Sequence, residues 1–90
     1  MNDRAKAQAP NRFDPDAKTT LVMVDISVRE QFQSMAGFCS CTLVMDQSIS
    51  GGNSNVRYEN VSWSFALADL AARHGAVATY SPGVVTVKRR

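Results

Sequence analysis

The sequence predicts a single small α+β domain with the element order strand, helix, strand, strand, helix, strand, strand. Three observations predict it. Short apolar runs of strand length recur along the chain, two segments carry apolar residues at helical spacing behind a serine, and Ser81-Pro82-Gly83 separates two C-terminal runs rich in small and β-branched residues. At 90 residues the chain can bury one core but not two.

Residues 1–17 contain Pro10 and Pro15, little apolar content and no periodicity, so they read as a flexible leader or linker, with the folded part spanning 18–88. Thr19 to Asp25 forms the first strand, built on Leu21-Val22-Met23-Val24 and stopped by the aspartate. Ser27 and Glu30 have the spacing of a capping box, in which serine hydroxyl and glutamate carboxylate satisfy each other's backbone N–H groups. The helix that follows places Val28, Phe32, Met35 and Ala36 on one face and Arg29, Glu30, Gln33 and Ser34 on the other, with Gly37 as its stop.

Cys41 to Met45 is a second strand. A polar loop with Ile49 and the turn residues Gly51-Gly52-Asn53 leads to a third, Asn55 to Glu59, where Val56 and Tyr58 alternate with Arg57 and Glu59 and should be half-buried. Ser62 can cap a second helix whose Trp63, Ala66, Leu67, Leu70 and Ala71 share one face and which ends at His74-Gly75. Its alanines keep it thin enough to pack on more than one side. Ala76 to Tyr80 and Val84 to Val87 then make a terminal hairpin.

Composition narrows the function classes. Hydrophobic residues at 44% and charged residues at 20% describe an ordinary folded domain, and no run approaches the roughly 18 apolar residues of a membrane-crossing helix. The opening residues lack an apolar h-region, so either the protein is cytoplasmic or a leader has been removed. Net charge is +2, and Lys88, Arg89 and Arg90 read as a solvated basic end, residues 89–90 forming a tail. Without a basic stripe interleaved with aromatics, nucleic acid is not an expected partner.

An enzyme is not expected. The single histidine, His74, falls at a helix C-terminus, where an imidazolium would complement the helix dipole, and no nucleophile, base and acid are spaced to converge. Catalytic, cofactor and metal residues are therefore expected to be none. Cys39 and Cys41 do not make a zinc site, because two thiols at this spacing lack a second pair. Their expected state is one buried and one partly exposed thiol, with a 39–41 disulfide as the alternative. Trp63, Phe32, Phe65 and Leu70 could be taken for a binding stripe, but apolar residues at helical spacing are read as core, Trp63 and Leu67 foremost.

Val22-Met23-Val24-Asp25 leading into Ile26-Ser27-Val28-Arg29, the segment Met45 to Gly51, and above all Val56-Arg57-Tyr58-Glu59-Asn60-Val61-Ser62-Trp63 with Ala66-Leu67 carry a family likeness. The stretch from about Thr20 to Lys88 resembles the secretin and TonB N-terminal short domain. The chain departs from that pattern at Gly37-Phe38-Cys39-Ser40-Cys41 and at Arg73-His74-Gly75-Ala76. The resemblance implies two helices sandwiched between a two-stranded and a three-stranded sheet.

For function, the resemblance implies a periplasmic protein–protein docking domain of an outer-membrane secretin, in type II secretion, a type IV pilus or related conjugation machinery. Expected partners are then the periplasmic part of an inner-membrane secretion or pilus protein and neighbouring copies in a secretin ring, with no membrane insertion of this segment. The alternatives are the signalling domain of a TonB-dependent transducer that binds an anti-sigma regulator, and a stand-alone lipoprotein or accessory subunit. The Asn60-Val61-x-Trp63 corner resembles the secretin branch more. Small sheets leave strand edges that can pair with a partner strand. Exposed features that folding does not demand, Arg57, Glu59, Tyr80, Gly51, Gly52 and Asn53, are the candidate contact residues. An isolated domain of this size should be monomeric and moderately stable.

Overall fold

Strand β1 (Lys18–Ile26) pairs antiparallel with β3 (Ser54–Ser62) as a two-stranded ribbon, with Leu21 opposite Tyr58, Val22 opposite Arg57 and Met23 opposite Val56. The computed structural model describes residues 13–90. Helix α1 (Val28–Phe38) and β2 (Thr42–Met45) lie between these strands in the chain, and helix α2 (Trp63–Arg73), β4 (Ala76–Ser81) and β5 (Val84–Arg89) follow. The second sheet has the order β2-β5-β4, with β2 parallel to β5 and β4 antiparallel to it. Helix α1 packs on β1 and β2, and α2 packs on β3 and β4, so each helix touches both sheets. The α+β sandwich and the order βαββαββ are as the sequence indicates.

Two bulges shape the ribbon. Between Met23 and Ile26, β1 carries one residue more than its partner, and Asp25 takes φ 57° while donating its N–H to Asn55 Oδ1 at 2.8 Å. Between Thr19 and Leu21 the extra residue is on β3, where Asn60 takes φ 54° and donates its N–H to Thr20 Oγ1 at 3.1 Å. A left-handed residue in each bulge leaves a backbone donor outside the ladder, and a side chain across the ribbon satisfies it. Asp25 thus bends the first strand rather than ending it.

Ser27 caps α1 through the expected box: its hydroxyl accepts the Glu30 N–H at 3.3 Å and its own N–H reaches Glu30 Oε1 at 3.4 Å. The helix does not stop at Gly37. It runs on to Phe38 with Cys39 as its C-cap, and the left-handed residue beyond is Ser40 at φ 54°. Helix α2 starts at the Ser62 cap and ends at His74, where Gly75 at φ 67° reverses the chain. Pro82 and Gly83, the latter at φ 86°, form the tip of the terminal hairpin.

Phe32, Met35, Trp63, Leu70, Val85 and Val87 are essentially inaccessible and form the centre of the core. Trp63 Nε1–H donates to the Met35 carbonyl at 3.0 Å, which ties the start of α2 to α1 and satisfies the only polar atom of the indole. Phe65 departs from the expectation of a core position: it is 55% exposed, because it lies off the face shared by Trp63, Ala66, Leu67 and Leu70.

The packed unit extends beyond Lys18 toward the N-terminus. Phe13 meets Trp63 edge-on at 4.7 Å between ring centroids and Tyr80 at 5.6 Å, while the carbonyls of Pro15 and Ala17 accept the N–H groups of Ser64 and Trp63 at 2.8 and 3.0 Å. These two donors belong to the first turn of α2, where no intrahelical acceptor exists. Residues 13–17, read as leader from sequence, therefore help cap a helix; residues 1–12 of that leader lie outside the described residues. At the other terminus Arg89 pairs with Ala76 and the Arg90 N–H donates to Gly75 O at 3.1 Å, so the basic end closes β5. Lys88, Arg89 and Arg90 are exposed.

Candidate docking surface

The outer face of the β1–β3 ribbon follows from strand alternation. Leu21 and Met23 turn inward, so Val22 and Val24 must turn outward, and they are 53% and 65% exposed. Across the ribbon Arg57 stands opposite Val22, and Glu59 two residues on shares its face. The Arg57 guanidinium donates to Glu59 Oε2 through both Nε and an Nη, with the two side chains 70% and 58% exposed. A pair so open to water adds little stability. It does neutralise the face, leaving two valines beside a self-compensated ion pair.

The two other candidate contacts lie at opposite ends of β3. Gly51, Gly52 and Asn53 form an exposed loop just before it, and Gly51 lies so close to the start of α1 that a Cβ there would sit 3.1 Å from Val28 Cγ2. With Ser27, Arg29, Gln47, Ile49 and Ser50, these two residues line a shallow recess of about 270 Å³. Ile49, buried, pins this loop to the core, and Asp46 shapes it by accepting the N–H and hydroxyl of Ser48, both at 2.8 Å. Those hydrogen bonds, the backbone one first, hold the Asp46 carboxyl below the ordinary aspartate range.

Tyr80, by contrast, is half-buried beyond the far end of β3, its ring 5.4 Å from Trp63. Nine strand residues between loop and cluster span roughly 26 Å at the usual rise. The structure therefore brings Arg57 and Glu59 together and keeps Tyr80 and the glycine loop apart from each other. Val22 and Val24 were missing from the candidates. The run from Leu21 to Val24 reads only as a strand, and a ribbon covered on one face exposes every second residue of it.

His74 has a role other than the one its position suggested. Gln31, completely buried, donates from Nε2 to the Ile26 carbonyl at 3.0 Å and to Ser54 Oγ at 2.8 Å. Because a carbonyl only accepts, the Gln31 amide nitrogen must face Ile26, and its Oε1 then faces His74 Nε2 at 3.3 Å. The imidazole donates Nε2–H and is stabilised as the neutral form, its pKa lowered from 6.5 by burial first and by Arg73 second. A neutral clamp between α1, α2 and the ribbon replaces the expected dipole-facing cation.

Cys39 and Cys41 are bridged by a disulfide, with Cα atoms 5.1 Å apart, rather than present as the expected free thiols. Only Ser40 lies between them, and its left-handed conformation folds the helix end back so that the Cys41 N–H reaches Ala36 O at 2.9 Å.

No family model and no curated protein sequence matches the chain. Among solved structures it is similar to the N0 domain of the type II secretin from enterotoxigenic Escherichia coli. The TM-score is 0.66 at 13% sequence identity, over 86% of this chain and 100% of that one. The fold is that of a secretin N0 domain. The similarity spans the whole of that N0 domain. Among the described residues no helix is long and apolar enough to cross a membrane.

Proposed function

We propose that this chain is a periplasmic protein–protein docking domain of an outer-membrane secretin assembly, linking the channel to the periplasmic part of an inner-membrane secretion or pilus protein. The reading rests on the full-length match to a secretin N0 domain. The physical features that support it are the open edges of the ribbon and the neutral face formed by Val22, Val24 and the Arg57–Glu59 pair. A partner strand can add to such an edge through main-chain hydrogen bonds, while the alternate side chains of the ribbon supply selectivity. Arg57 and Glu59 sit at the rim of this contact. The glycine loop 51–53 and the accessible part of Tyr80 flank it and are available to a larger partner or to a neighbouring copy in a ring.

Site-specific photocrosslinking tests the reading in the intact envelope. A photoreactive residue placed at position 22 or 57 of the full-length protein should yield an adduct with an inner-membrane-anchored secretion or pilus protein. An adduct only with an anti-sigma regulator would transfer the domain to the TonB-dependent transducers, and the absence of any adduct from either position would contradict docking through this face.

A further inference from the structure

The α1–β2 turn carries a feature that docking does not use. Its disulfide encloses a single residue, Ser40, in the left-handed region. Both cysteines are half-buried and rest on the edge of the core, and Phe38, next to Cys39 in the chain, is 43% exposed. The bridge is thus partly open to solvent.

A bridge of this kind does little for folding. The chain entropy that a disulfide removes from the unfolded state grows with the loop it closes, and one intervening residue is close to the smallest loop available. The elements on either side are held by other means: α1 by Phe32 and Met35 in the core, and β2 by its ladder to β5 from Thr42–Val84 to Met45–Val87. The segment from Cys39 to Cys41 is tied to the helix end through its backbone. The Cys39, Ser40 and Cys41 N–H groups bond back to the last turn of α1, and the Thr42 N–H donates to Gly83 O at 2.8 Å where the edge strand begins.

We propose that Cys39–Cys41 is a thiol–disulfide exchange site that takes a dithiol as its reaction partner and sets the conformation of the α1–β2 turn. A thiolate of the dithiol attacks one bridge sulfur, breaking the Cys39–Cys41 bond and forming a mixed disulfide; the second thiolate of the dithiol then displaces the cysteine. The chain gains two electrons and two protons and becomes a dithiol, and the partner leaves as a disulfide. Opening removes the covalent hold on the turn, leaving Ser40 to the bonds that the Ser40 and Cys41 N–H groups make to Gly37 O and Ala36 O, and lets the entry to β2 relax, while the core stays packed. The inference is independent of the secretin reading, since it rests on the turn alone.

The experiment uses the full chain, labelled with ¹⁵N, in dithiothreitol at neutral pH without denaturant, followed by iodoacetamide. Mass spectrometry should show no alkylation before reduction and both cysteines alkylated after it. Amide shifts should be confined to residues 36–45 and their neighbours around Gly83, and the double variant Cys39→Ser/Cys41→Ser should show the reduced-state shifts without reductant. Alkylation before reduction, reduction only in denaturant, or loss of amide dispersion on native reduction would each overturn the proposal. So would a double variant whose shifts match the oxidised chain, since the bridge would then set no conformation.

Discussion

Tyr58 Oη donates to Asp69 Oδ2 at 2.6 Å, joining the middle of β3 to α2, and Arg73 completes the contact by donating to the same oxygen at 3.0 Å while lying 5.5 Å above the Tyr58 ring centre. The ring is buried and its hydroxyl is the polar end that reaches the edge. Burial and the Asp69 hydrogen bond raise the Tyr58 pKa well above the ordinary tyrosine value of 10, and the hydroxyl in turn lowers that of Asp69. Tyr58→Phe keeps the ring and removes the bond, leaving Asp69 with solvent and Arg73. A loss of about 1 kcal/mol is expected in urea denaturation.

The same pair predicts the alkaline limit of the fold. Tyr58 keeps its proton in the folded chain above the pH at which the unfolded chain loses it, so its contribution is complete below pH 10 and is lost as pH rises further. Carbon-13 NMR of the Tyr58 ring should show the phenol, not the phenolate, throughout the ordinary range of tyrosine titration.

His74 predicts a slope near neutrality. Its folded pKa lies below 6.5, so the unfolded chain binds the proton first on acidification, and stability present above pH 6.5 declines as pH falls toward the folded value. Thermal midpoints should therefore rise as pH is raised from the acid side through 6.5. In His74→Gln, which can still donate to Gln31, that part of the rise should vanish.

Phe13 predicts how far the domain extends. Phe13→Ala removes an aromatic ring packed edge-on against Trp63 and Tyr80, and should cost about 1–2 kcal/mol, discounted from a full core deletion because Phe13 is half-buried. Trp63 fluorescence reports the change directly. Unaltered stability and emission would remove residues 13–17 from the packed unit.

Val24 separates function from folding. At 65% exposure, Val24→Lys should change stability by no more than about 0.5 kcal/mol, while a charge placed in a desolvated contact should weaken partner binding by roughly tenfold or more. Isothermal titration and thermal unfolding of the same preparation check both halves.

How much of this was legible in the sequence differs by element. The caps at Ser27 and Ser62, the apolar faces of both helices and the terminal hairpin follow from local chemistry, and local chemistry prevailed there. Asp25 looked like a strand end, because charge stops a buried run; a bulge instead turns it outward and Asn55 satisfies its N–H. Gly37 looked like a helix stop, but the reversal happens three residues later, at Ser40 in the left-handed region, where the Ser40 and Cys41 N–H groups bond back to Gly37 O and Ala36 O. Phe13 and Gln31 were invisible for a different reason. Their partners, Trp63 and His74, lie 50 and 43 residues away in the chain, and no local pattern announces such a contact. The docking candidates divide in the same way: Arg57 and Glu59 follow from alternation, whereas Val22 and Val24 require knowing that the ribbon is covered on one face only.

We propose that the β1–β3 ribbon docks an inner-membrane secretion or pilus protein. Amide NMR of the ¹⁵N-labelled chain, titrated with the periplasmic part of such a protein from the same organism, tests it most directly. Saturable shifts centred on residues 20–24 and 55–59 are the predicted result. Shifts confined to the β2-β5-β4 sheet, or none at concentrations that saturate the partner's other contacts, would contradict it.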